Sequence, residues 1–72
     1  MSHSQARITR FRELFAALLP AELMPVRVAK AAEMLCMSES SVRVYLSPQA
    51  PHPPSQRTID LFERELKRRR YL

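Results

Sequence analysis

Apolar residues at Ile8, Phe11, Phe15 and Leu18 recur every three or four positions, with Leu14 alongside. That spacing predicts an amphipathic helix over 5–19, with Ser4 as its N-cap and Pro20 as its stop. Arg7, Arg10 and Arg12 fall mostly off the stripe and read as a solvated face. A second helix is expected over 26–35, with Pro25 suited to its first turn. Its inward face, Ala31, Ala32 and Leu35, is narrow and made largely of small residues. A third helix is expected to open at Ser38 as N-cap and to turn Val42, Tyr45 and Leu46 inward. It stops at Ser47, because the residue before proline avoids helical geometry. The last helix runs over 55–70, capped by Ser55, with Ile59, Phe62 and Leu66 on its face and Leu61 beside them. Glu63 and Lys67 form a supporting i,i+4 pair. The pattern predicts an all-α chain of four helices in a single domain.

The 72-residue chain contains no glycine, so other residues must make every turn, and six prolines punctuate it. Residues 47–54, Ser-Pro-Gln-Ala-Pro-His-Pro-Pro, read as an extended, polyproline-like connector. Neither an internal repeat nor a long heptad pattern is present.

Residues 26–47 carry the pattern with functional content. Between Val28 and Leu46 the offsets fit a helix-turn-helix, two short helices meeting steeply across a tight turn. Ala32 is the small residue where the helices would touch, Cys36 the turn and Met37 an apolar plug. Ser38 caps the next helix, and Val42 and Tyr45 return to the core. Cys36 stands where glycine suits the positive φ of such a turn, at a cost of about 1 kcal/mol. The thiol reads as a small buried apolar group rather than a reactive one. Taken alone, Val42–Leu46 alternates like a β-strand; the Ser38 cap, the small-residue helix before it and Pro48 after it favour a helix.

In a helix-turn-helix the first turns of the second helix enter the major groove. The outward residues there are Glu39, Ser40, Arg43 and Val44, the expected base-edge contacts. Arg43 suits a bidentate contact with guanine, Glu39 a cytosine amino group and Val44 a thymine methyl. Glu39 equally suits the positive end of its own helix. Arg27, Lys30 and Ser38 are the expected phosphate contacts. Arg68, Arg69 and Arg70 read as a solvated helix end, favoured there by the helix dipole, over a phosphate track.

Charge agrees with an anionic partner: twelve Lys+Arg against seven Asp+Glu give +5, and ten of the twelve are arginine, whose planar fork suits phosphate and guanine. With one cysteine there is no internal disulfide, and no Cys/His set has metal-ligand spacing. No nucleophile–base pair or glycine-rich phosphate loop suggests an enzyme, and no cofactor or small-molecule ligand is expected. The aromatic platform that single-stranded RNA prefers is missing. Without an apolar run of about 18 residues or a signal-peptide pattern, and with a lone thiol, the chain reads as cytoplasmic.

The stretch Ala31–Ser47, with the proline-containing connector and closing helix after it, resembles the small anti-CRISPR-associated repressors of phages, within the Cro/CI-like class of phage regulators. The resemblance implies a homodimeric repressor binding an inverted repeat near the promoter of its own operon, with Lys30, Ser40 and Arg43 at DNA. The chain departs from that pattern at Ala29 and Ser40, where a family member carries arginine, and at Cys36, where it carries glycine. A dimer also suits a domain this small. The last helix offers Ile59, Leu61, Phe62 and Leu66, more than one intramolecular face requires, and these are the expected two-fold interface. The alternative is a protein-interaction module, of antitoxin or phage-inhibitor type, using the same fold without reading DNA.

Overall fold

The computed structural model describes residues 3–47 and 52–72. Four helices follow in order: α1 (His3–Ala16), α2 (Met24–Leu35), α3 (Glu39–Leu46) and α4 (Gln56–Arg68). No strand occurs among the described residues, so Val42–Leu46 is helix. Most of the proline connector, residues 48–51, lies outside them; at its end Pro54 is buried.

Local chemistry explains most boundaries. Ser38 and Ser55 cap α3 and α4, their hydroxyls accepting from the Ser41 and Thr58 backbone N–H groups at 3.1 Å. Ser4 is no cap, because α1 already begins at His3. α2 starts after Leu23 without a side-chain cap; Pro25, which has no N–H to leave orphaned, sits in its first turn.

α1 ends three residues earlier than its apolar stripe predicts, and the reason lies in another element. Arg27, on α2, donates Nε to the Leu18 carbonyl at 2.9 Å and Nη2 to the Phe15 carbonyl at 2.8 Å. The Phe15 carbonyl, in the last turn of α1, also accepts from the Leu18 N–H at 3.0 Å, so the guanidinium adds to the turn that follows the helix. Leu18 is nonetheless fully buried, held in a tight turn beyond the helix.

The core takes Phe11, Leu14 and Leu18 from the α1 region, Val28, Ala31 and Leu35 from α2, Val42 from α3, and Ile59, Phe62 and Leu66 from α4. Phe11 lies at the junction, edge-on to Tyr45 with centroids 5.3 Å apart and tilted against Phe62 at 5.2 Å. Ala31 and Ala32, both buried, let α3 approach α2 closely. The Cα radius of gyration, 11.3 Å, equals the roughly 11 Å of a compact domain of this length.

The expectation that Ile59, Phe62 and Leu66 form a dimer interface is corrected here. All three are spent inside the monomer, at 4%, 0% and 0% exposure, because α4 packs its whole apolar stripe onto α1 and α2. Leu61 is half-buried against the same core.

Candidate nucleic-acid interface

The junction of α2 and α3 is three residues, Cys36-Met37-Ser38. Cys36 holds left-handed backbone at φ 55°, ψ 45°. Its N–H donates to the Glu33 carbonyl at 3.3 Å, and the Met37 N–H reaches back to the Ala32 carbonyl at 3.1 Å. These two bonds form the Schellman closure of a helix end. The apolar residue after the left-handed one, Met37, packs against the core as that motif favours. The same backbone geometry turns the thiol out to solvent, so Cys36 is exposed, contrary to the expectation of a buried one.

α3 is eight residues, about 12 Å long, and Val42 is its one fully buried residue. Around the rest of the helix, the side chains of Glu39, Ser40, Arg43 and Val44 are all exposed. Their spacing, i, i+1, i+4 and i+5, makes one continuous strip. The only ion pair on it joins Arg43 to Glu39 at 3.7 Å, between side chains 56% and 52% exposed. A pair that open is worth a few tenths of a kcal/mol, so either group is readily released to another partner. The Ser38 hydroxyl, besides capping, lies 2.9 Å from the Ser41 hydroxyl.

Two expected phosphate contacts are placed otherwise. Arg27 is committed: its two bonds hold the end of α1, and its guanidinium lies 4.5 Å over the Phe15 ring. Lys30 makes an open pair with Glu33 at 3.6 Å and lines a groove with Val26, Ala29 and Tyr71. Reading the sequence placed both cations by their distance from the turn; which side of α2 they occupy depends on its packing.

Two residues enter the site that the sequence did not indicate. His52, exposed at the end of the connector, shares a small groove of about 180 Å³ with Ser41, Val44 and Tyr45. No local signal in the sequence places it there. Arg12 donates Nη2 to the Ser47 carbonyl at 2.8 Å and so holds the C-terminal end of α3 against α1. It is therefore not simply part of a solvated face.

Charge elsewhere divides into spent and unspent. Arg10 pairs with Glu13 and with Glu63 across to α4, Lys67 with Glu63 at 3.9 Å, and Arg69 with Glu33 and Glu65. Arg68 grips Glu65 with two bonds at 2.8 and 2.9 Å, and that grip holds the Glu65 carboxyl down at about 2. Arg57 and Arg64, both exposed and two turns apart on α4, form no ion pair among the described residues. Within the Arg68–Arg70 cluster Arg68 is exposed on its own helix end, whereas Arg69 is part-buried and reaches across to Glu33 of α2, so it is not simply part of a solvated terminus.

Among the described residues no group of His, Cys, Asp and Glu could hold a metal ion, and no helix is long and apolar enough to cross a membrane. Comparison with protein-family models, curated proteins and solved structures finds no match to this chain.

Proposed function

We propose that the chain binds double-stranded DNA, that α2 and α3 act as a helix-turn-helix, and that it serves as a small transcriptional regulator, a repressor of its own operon. The observation that carries this reading is the exposed strip of Glu39, Ser40, Arg43 and Val44 on a short helix fixed rigidly at both ends. Its N-terminus is fixed by the Schellman turn and the Ser38 cap, its C-terminus by Arg12. A helix with side chains, about 10–12 Å in diameter, fits a major groove about 12 Å wide. Arg43 takes guanine, releasing Glu39 to accept from cytosine, and Val44 meets a thymine methyl. His52, beside Val44, adds a donor at the edge of the same surface. Phosphates are met by the backbone at Ser38 rather than by Arg27.

Fluorescence anisotropy against DNA from upstream of the gene, with a scrambled duplex and a salt series, tests the reading. A specific regulator prefers the upstream duplex by about a thousandfold or more. Arg43→Ala then loses about 1–3 kcal/mol of specific binding with its helical circular dichroism unchanged. Arg27→Ala lowers stability instead and leaves the salt slope of the folded protein unaltered. Equal, steeply salt-dependent binding to both duplexes leaves only phosphate affinity. Failure to bind either at moderate salt overturns the DNA reading in favour of a protein-interaction module.

A further inference from the structure

The net charge of +5 is not spread evenly over the molecule. Among the described residues Arg10, Lys30, Arg43, Lys67, Arg68 and Arg69 stand in ion pairs. Arg12 and Arg27 are spent on backbone carbonyls. Arg7, Arg57, Arg64 and Arg70 have neither kind of partner there. Three of those four, all but Arg70, line two open grooves that meet at Gln56, the first residue of α4. One groove, of about 480 Å³, runs between α1 and α4 past Arg7 and Arg10. The other, of about 580 Å³, lies along α4 itself past Arg57, Asp60 and Arg64. Asp60, the one carboxylate lining either groove, accepts from the Gln56 amide at 2.9 Å.

We infer that this arginine face, the outer side of α4 with Arg7 across the adjoining groove, is a sequence-neutral docking surface for the phosphate backbone of duplex nucleic acid. It uses none of the α3 strip. Helical periodicity puts Arg57 and Arg64 on one stripe, opposite the buried stripe of Ile59, Phe62 and Leu66. They stand about 10.5 Å apart along the helix axis, close to three phosphate steps of about 3.4 Å along one strand. Each guanidinium offers a planar fork that can hold two phosphate oxygens at once.

What the face lacks selects its occupant. A protein interface is built around an apolar centre, and the large exposed hydrophobics, Leu23, Met24, Val26, Val44 and Leu72, all lie elsewhere. Leu61, in the second groove, is half-buried against the core. A single strand is held by aromatic side chains on which its bases stack. Neither groove has an aromatic in its lining, and Phe62, the aromatic of α4, is fully buried. Positive charge without apolar or aromatic surface suits a duplex backbone, whose contacts hold and orient without reading sequence.

Fluorescence anisotropy of the full chain with a scrambled duplex, from about 50 mM salt upward, tests the inference. Arg57→Gln and Arg64→Gln each lower the slope of log K against log salt by about 0.9, and the double variant by about 1.8. The weakening is the same on the upstream duplex, because phosphates carry no sequence. Both side chains are exposed, so helical circular dichroism stays unchanged. Arg70→Gln removes the same charge outside both grooves and leaves the slope alone. The inference does not rest on α3. Preference for the upstream duplex, and its loss in Arg43→Ala, is a separate readout, so either surface can fail while the other stands. An unchanged slope in the double variant overturns the arginine face. So does an equal fall in Arg70→Gln, which would be the work of net charge alone. Polyglutamate of matched charge that displaces the duplex overturns it in favour of an acidic protein segment, and no binding at about 50 mM salt overturns it outright.

Discussion

Among the described residues of a chain with no glycine, three hold left-handed backbone: Leu19 at φ 45°, Cys36 at φ 55° and Arg70 at φ 66°. Each ends or follows a helix, where closing the last turn calls for that conformation. At Arg70 the closure repeats that at Cys36: the Tyr71 N–H donates to the Leu66 carbonyl at 2.8 Å, and Tyr71 packs on the core. Cys36 is the cleaner test, because its side chain is exposed and glycine there loses no packing. Cys36→Gly should raise stability by about 1 kcal/mol, a rise in melting midpoint of about 4–8 °C. Cys36→Ala keeps the Cβ and should gain nothing comparable. Equal midpoints for the glycine and alanine variants would mean that the turn carries no backbone cost. The special role of position 36 was legible from its offset within the motif. The outward thiol was not, since its direction follows from φ rather than from residue type.

At the scale of elements, local signals were legible at starts and ends alike, through the Ser38 and Ser55 caps and the stop at Ser47, whereas α1 and α2 both begin earlier than expected. Ser38 and Ser55 are local signals, each needing only its own next turn, and both cap as expected. The end of α1 depends on Arg27, nine to twelve residues away, and the end of α3 is held by Arg12 from 35 residues away. Neither bond has a signature in the nearby sequence. The end of α4 is instead closed locally, and its ion cluster gives a pH prediction. Arg68, with Arg69 in support, depresses the Glu65 carboxyl from 4.5 to about 2. A depressed carboxyl contributes stability fully above its unfolded value and loses it as pH falls towards the folded one. Chemical denaturation between pH 5 and pH 2 should therefore show stability declining through that interval. Glu65→Gln should flatten the decline and leave the remaining carboxylates to supply what slope persists. An unchanged slope in the variant would show that the Arg68 grip does not persist in solution.

For the whole molecule, one side chain ties the elements together. Phe11 is fully buried and meets α3 through Tyr45 and α4 through Phe62. Truncating a core phenylalanine costs about 3–5 kcal/mol, while a domain of this size holds only about 4–11 kcal/mol in total. Phe11→Ala should accordingly lose most of its stability in urea denaturation followed by circular dichroism. A loss below about 1 kcal/mol would mean that the three helices do not share this contact.

The sequence by itself determined the class and number of elements. Apolar spacing, serine caps and prolines are local in origin, so four helices, the starts of α3 and α4 and the turn at Cys36 could all be read from neighbouring residues. It also determined which residues of α3 are turned to solvent, because helical geometry fixes that once the helix is granted. Only the tertiary structure decided what became of the rest. Ile59, Phe62 and Leu66 were counted as surplus apolar surface, yet packing consumed them; Leu23, Met24 and Val26 were left uncovered instead. Arg27 could be counted as a free cation until α1 ended beneath it. That His52 shares a groove with Val44 is likewise a matter of assembly. Burial and the partners of long side chains are set by which faces meet, and that is a property of the assembled helices rather than of any one of them.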